Sequence, residues 1–294
     1  MARARAIVKR RKAVRNIRKI TRTMQLIATA RFQQAHNRVQ AGQPYVSRIR
    51  SLVGQLSQGV DLQHPLLRAS PDTAPDLVLV LTSNRGLAGG YNSNVLRRAV
   101  RHIDALQAQS RSVLVHMVGK KGISYFKFLG RPIAMPHTEF GDRPTYDQVA
   151  ELAGQFMEQY AAGRLHAVYV VFMHFISAGS QRPEVVRLLP MEPPTKPAEA
   201  AAEHRSVEWE FSPDPASILA ELLPEAVTVS LFQYFLEAVT SEQVARMVAM
   251  KAATDAAGDM IKFLSLQYNR ARQTQITLEL LDIVGGANAL QAAE

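Results

Sequence analysis

Sixty residues between Pro224 and Gly285 contain no proline and a single glycine, Gly258, and nothing else in the chain constrains its fold as strongly. Within them Leu231, Phe235 and Ala238, then Ala257, Ile261, Leu264, Tyr268 and Ala271, recur at spacings of four and three, and Ile276, Leu280 and Ile283 resume after a shift. Apolar residues at this interval form the stripe of a long helix that pairs with another helix. A helix of this length extends about 90 Å at a rise of about 1.5 Å per residue. A compact domain of this size cannot hold it, so the stripe needs a partner of similar length.

The other end of the chain supplies one. From Val14 the apolar positions run Ile17, Ile20, Met24 and Ile27; after a phase shift they continue through Ala28, Phe32, Ala35 and Val39, and later Tyr45, Ile49, Leu52 and Leu56. One interruption, Gly42-Gln43-Pro44, predicts a bend or local break. Residues 1–60 carry 14 Lys or Arg and no Asp or Glu, so the remainder of this +10 chain sums to −4. Such a basic segment fits a nucleic-acid arm, an Arg-rich transit peptide, or a helix facing an acidic protein partner. A cleaved peptide has no use for a stripe this long. Residues 225–294 hold eight acidic and five basic residues, which suits pairing with the basic N-terminus. The expectation is an antiparallel coiled coil of the two termini, with two separate bundle helices as the alternative. Each large apolar side chain fully buried in the seam contributes roughly 1.5–3 kcal/mol gross.

Residues 75–210 have a different texture. Asp76–Ser83, Arg111–Gly119 and His166–Phe175 read as buried strands, Ile133–Phe140 as a weaker one. Asn92–Gln109, Lys120–Gly130 and Thr145–Gly163 suit helices. This alternation predicts a doubly wound parallel sheet. A proline-rich linker, Pro190–Ala202, and a short strand around Trp209 follow. The fold class is therefore α/β with a long antiparallel coiled coil: N- and C-terminal helices (1–60 and 211–294) paired, and a Rossmann-like α/β domain (75–210) inserted between them.

Chemistry is hard to find in this chain. With no cysteine there is no disulfide, thiolate metal site or thiol switch. No apolar run approaches the roughly 20 residues that span a bilayer, and the N-terminus has no signal-type apolar core. No HExxH or GxSxG is present, and Ser83 has no partners in a recognisable order. The turn Arg85-Gly86-Leu87-Ala88-Gly89-Gly90 follows a strand and opens a helix, as phosphate-binding turns do. It is neither GxGxxG nor a P-loop, and no acidic residue lies about 20 positions on to hold a ribose. A tight connection whose glycines allow positive φ or close packing accounts for it. A Rossmann-type nucleotide enzyme and a nucleic-acid-binding coiled coil remain as alternatives.

Four segments resemble the gamma subunit of the F-type ATP synthase: NIRKITRTMQLIATAR (Asn16–Arg31), SNRGLAGGYNSNV (Ser83–Val95), ARMVAMKAATDAAGDMI (Ala245–Ile261) and YNRARQTQITLELLDIVGGANAL (Tyr268–Leu290). The last two together are highly specific, and the resemblance covers essentially the whole chain. It implies a non-catalytic central shaft that couples rotation of a membrane c ring, driven by ions, to ATP synthesis or hydrolysis in a ring of alpha and beta subunits. The implied partners are alpha, beta, epsilon and the c ring, with delta in the same complex. No nucleic acid and no cofactor are implied. Family members begin at this same point without a presequence, which accounts for the basic N-terminus. The resemblance, without a cysteine-bearing insert, implies a bacterial-type protein on the cytoplasmic face of the inner membrane, peripheral and held through partners.

Residue by residue, Met24 matches a position facing an acidic beta loop, although an ordinary seam residue would read the same way. Arg272 and Gln273 match a pair that hydrogen-bonds a catch loop of beta, against a solvated helix face. Ile276, Leu280, Ile283 and Val284 match a tip turning in an apolar sleeve. Glu208, Trp209 and Glu210 match, loosely, the foot nearest the c ring; read alone, they form a solvated strand. Asn84 and Ala88 stand where the family often has aspartate and cysteine. There is no cysteine-bearing insert of the kind that confers thiol regulation.

Overall fold

The structure is a computed structural model that describes residues 2–56, 64–68, 70–191 and 215–291. The chain forms two compact units, one of Met1–Thr29 with Arg246–Glu294, the other Ala30–Ala245. Helix α1 (Ala2–Leu56) and helix α5 (Pro215–Gln291) each contribute to both. Between them in the chain lie β1 (Asp76–Leu81), α2 (Tyr91–Ala108), β2 (Val113–Val118), α3 (Lys120–Phe128), β3 (Met135–His137), α4 (Tyr146–Ala161), β4 (Ala167–Ser177) and β5 (Ser180–Leu189).

In the first unit α1 and α5 run antiparallel. The partners descend along α5 as α1 advances: Arg11 Nη1 meets Ser265 Oγ at 3.5 Å, and the hydroxyls of Thr21 and Thr254 lie 2.8 Å apart. The α5 stripe is as the spacing predicts through Ala271, with Ala257 and Leu264 buried, Ile261, Tyr268 and Ala271 half-buried, and Met250 and Thr254 buried with them, but the resumed positions Ile276, Leu280 and Ile283 are exposed. The α1 stripe is so only in part, with Val14 and Ala28 buried as expected. Its buried positions in this unit are Val14, Thr21 and Ala28, seven residues apart, whereas Ile17, Ile20 and Ile27 are 51%, 59% and 49% exposed. The expected phase followed the largest apolar side chains. The seam instead buries Val14 with Ala257 and Leu264 and sets Thr21 against Thr254. Arg11 joins it by laying its guanidinium 5.3 Å from the Tyr268 ring centre.

In the second unit the sheet order is β3-β2-β1-β4-β5, parallel except for β5, which pairs antiparallel with β4. Strand alternation divides the core. Leu77, Leu79 and Leu81 face α4 and the inner ends of α1 and α5, through Val46, Ile49, Val53, Phe156, Leu223 and Phe235. Val78 and Val80 face α2 and α3, through Val95, Ala99, Ile103 and Phe126. Helices on both faces and a 3-2-1-4 parallel order make this a doubly wound, Rossmann-like arrangement. Strand β5 was not foreseen, because SQRPEVVRLL mixes charge and proline and is only half-buried. Pro183 is tolerated there because β5 is an edge.

One helix expectation is corrected. Helix α1 runs unbroken through Pro44. Helix α5 runs through Pro224, Gly285 and Gly286 as well. Flanking Val39, Val46 and Ile49 are buried, so tertiary packing on both sides of Pro44 outweighs its lost backbone bond. The composition of α5 also meets the length and apolarity of a membrane-crossing helix, contrary to the expectation, but 61% of the window concerned is buried inside the protein. That apolarity belongs to the core helix segment around Leu219–Phe235.

Candidate functional site

The glycine turn sits where a doubly wound sheet would bind a nucleotide, at the C-terminal end of β1. Its polar groups turn inward instead. Ser83 N–H donates to Asn92 Oδ1 (3.0 Å), Asn92 Nδ2 donates to Ser83 Oγ (2.8 Å), and Ser83 Oγ donates to Arg85 O (2.6 Å). Asn84 Nδ2 donates to Phe140 O (2.8 Å), while Asn84 Oδ1 accepts from Lys120 N–H (3.1 Å) and so caps the start of α3. Donating to Phe140 O needs the amide, which an aspartate at this position would lack. Gly119, with φ +94°, brings β2 so close to β1 that an added Cβ would lie 2.3 Å from Thr82 O. The space left beneath the turn, walled by Tyr91, Phe140 and Phe235, is about 30 Å³. That holds one water, against the roughly 300–1,000 Å³ of pockets that hold ligands. The turn is a packed connection.

The same turn helps hold the loop ahead of α4 against α1. Asp142 Oδ2 forms an ion pair with Arg31 of α1 and lies 3.9 Å from Arg85 Nη2; Arg143 Nη2 donates to Gln34 Oε1 of α1. Thr145 then starts α4 with a reciprocal cap, its hydroxyl accepting from Gln148 N–H.

One polar cluster lies inside the sheet edge. His137 Nδ1 lies 2.7 Å from Glu139 Oε1, and His137 Nε2 lies 3.2 Å from His116 Nδ1. Burial, and secondarily the neighbouring His137, pushes the His116 pKa down to about 4, so that ring is neutral near pH 7. Among the described residues no group of three or more His, Asp or Glu side chains is arranged to hold a metal ion.

The anticipated contact residues fall on the helices of the first unit. Met24 is half-buried beside the seam, and Arg272 and Gln273 are exposed next to half-buried Ala271. Ile276, Leu280, Ile283 and Val284 are exposed together with Leu278 and Leu281. Glu208, Trp209 and Glu210 lie outside the described residues. Sequence reasoning missed a second outward apolar set on α1: Ile17, Ile20, Leu26 and Ile27. The seven-residue recurrence of Val14, Thr21 and Ala28 was the signal that would have turned them outward. Apolar side chains exposed in such number mark surfaces that meet other molecules.

A filled ligand crevice and paired helices rich in outward apolar residues define a class: a scaffold that works through contact surfaces. The comparisons name the family within that class. A family model described as ATP synthase matches residues 3–290. Similar chains include the ATP synthase gamma chain of Rhodopirellula baltica, 45% identical over 99% of this chain and 100% of the relative. That of Leptospira biflexa is 41% identical over 99% and 100%. The chain belongs to the ATP synthase gamma chain family. Among solved structures, it is similar to a chain of the Euglena gracilis mitochondrial ATP synthase, OSCP/F1/c-ring, with TM-score 0.65 and 17% identity, covering 99% of this chain and 96% of that one. A chain of the Tetrahymena thermophila central stalk/c-ring matches with TM-score 0.54 at 20% identity, over 80% and 99%.

Proposed function

We propose that the chain is the central rotor shaft of an F-type ATP synthase, coupling ion-driven rotation of a membrane c ring to ATP synthesis, or hydrolysis, in an alpha/beta ring. The observation that carries this reading is the end-to-end match to gamma chains, such as those at 45% and 41% identity. The exposed apolar residues of α1 and α5 support it, since a shaft needs surface to push against. The shaft itself catalyses nothing; it links two distant sites mechanically. Because the linkage is reciprocal, hydrolysis drives rotation backwards.

Met24, Arg272 and Gln273 are the proposed contacts to beta, Arg272 through the fork of donors that suits carboxylates and carbonyls. Ile276, Leu280, Ile283 and Val284 form the proposed tip in its apolar bearing. Exposed ion pairs contribute roughly 0–1 kcal/mol each, which suits a surface that must release and re-form its contacts. Alpha, beta, epsilon and the c ring are the proposed partners, delta sharing the complex, and the chain is peripheral on the cytoplasmic face of a bacterial inner membrane.

Copurification tests the reading. A tagged chain drawn from its native membranes should bring alpha, beta and epsilon with it, and ATPase activity should depend on its presence. Recovery of the chain alone, or with nucleic acid, would overturn the assignment.

A further inference from the structure

The loop between β3 and α4 is fixed at both ends. Phe140 O accepts from Asn84 Nδ2 at 2.8 Å, and the Phe140 ring packs 4.7 Å from that of Phe235 on α5. At the other end the reciprocal cap of Thr145 starts α4. Between these anchors Asp142 forms its ion pair with Arg31 of α1 and lies 3.9 Å from Arg85 Nη2 of the glycine turn. Arg143 adds a bond to Gln34, one turn along α1. Glu139, the other acid of this loop, is committed to His137 Nδ1 and to the Thr138 N–H, both at 2.7 Å. Asp142 is the carboxylate that ties loop, glycine turn and helix together.

Its level along α1 gives this tie a use. The core that α1 shares with the sheet begins at Val46 and continues through Ile49 and Val53. Arg31 precedes Val46 by about 22 Å along the axis, at the rise of an α-helix. Apolar contacts are non-directional, so those at Val46–Val53 resist separation more than rolling or sliding. A charge-assisted bond fixes direction as well as distance. The end of β4 touches α1 near Arg31 through rings, Phe175 lying 6.0 Å from Phe32 and 5.4 Å from His36, which add contact but no ionic bond. From this level α1 runs without a break into the first unit.

We propose that Asp142 is a positioning residue of the rotor: through Arg31 it locks α1 to the α/β domain at a second point, so that torque passes between domain and helix without slack. The inference rests on the rotor reading. The side chains of Arg31 and Asp142 are 36% and 24% exposed, and pairs of this kind add little to stability. The contribution is to stiffness, since coupling between distant parts of a protein runs through packed and hydrogen-bonded contacts on rigid elements.

Single-molecule rotation tests this on the assembled complex, fixed through its beta subunits. Ser124→Cys, exposed on α3, puts the bead on the sheet face turned away from α1. During pauses at low ATP the angular variance of the bead reports torsional stiffness. Asp142→Asn keeps the size but not the charge and should raise that variance about twofold, as where one of two attachments is lost. Arg31→Met should do the same, both together should do no more than either alone, and Asp142→Glu should stay near the parent. Equal variance in parent and Asp142→Asn, or additive effects of the two single changes, would overturn the proposal and leave the rotor reading standing. A lowered melting temperature with unchanged variance would reduce the pair to an ordinary loop contact. A parent bead that stays still while ATP is hydrolysed would sink the rotor reading, and this inference with it.

Discussion

The hydroxyl oxygens of Thr21 and Thr254 lie 2.8 Å apart across the α1–α5 seam, both residues buried. Each hydroxyl also reaches a carbonyl of its own helix, Thr21 to Arg18 O at 3.2 Å and Thr254 to Met250 O at 2.8 Å. A polar pair inside an otherwise apolar seam fixes register, because sliding either helix leaves a hydroxyl facing hydrocarbon.

Replacing one of these threonines by valine should cost about 1 kcal/mol, since the other loses its cross-helix partner but keeps its backbone bond. Replacing both should cost less than the sum of the two singles. Thermal melts of the four chains give the coupling directly, and strictly additive losses would show that the pair does not act as a unit.

Arg111 grips the almost fully buried Asp76 with two bonds, Nε to Oδ2 at 2.8 Å and Nη2 to Oδ1 at 3.3 Å. Arg111→Met leaves that carboxylate buried and unpaired and should destabilise the chain by about 3 kcal/mol in urea unfolding. Asp72, also within reach of Arg111 but 91% exposed, is the control: Asp72→Asn should cost less than about 0.5 kcal/mol.

The depressed pKa of His116 gives a definite sign. Its folded pKa of about 4 is below the ordinary 6.5, so the folded state resists taking the proton. The stability this contributes is complete above pH 6.5 and is lost as the pH falls toward 4. His116→Phe should retain more of its pH 7 stability at pH 4.5 than the parent does. Unfolding curves that fall in parallel for the two chains would contradict this.

Gly119→Ala should destabilise by about 2–3 kcal/mol, because it combines positive φ with a Cβ driven into Thr82 O. Gly130, also at positive φ but with open space around it, should cost less when changed to alanine, and melting temperatures of the two variants make the comparison.

The strands and helices between Asp76 and Ser177 were legible because each is a short apolar run or a helical period bounded by turn residues. The α5 stripe was legible as far as Ala271 because its buried and half-buried positions keep the spacing of four and three. On α1 size and burial separate. Bulky Ile17 and Ile20 point outward, small Thr21 and Ala28 point in, and hydrophobicity alone selects the wrong face. Strand β5 escaped notice because an edge strand needs little apolar content once a neighbour supplies its hydrogen bonds. The glycine turn was legible as a turn. Its clamp on the Phe140–Arg143 loop was not, because Asn84 and Phe140 are joined only by the fold.

Rotation itself is the most direct test. The chain has no cysteine, so Ser180→Cys on the exposed β4–β5 hairpin creates a unique attachment point. With the assembly fixed through its beta subunits and a bead on that cysteine, ATP should drive continuous rotation in one direction that stops when ATP is removed. ATP hydrolysis at full rate with the bead stationary would contradict the account of this chain as the shaft.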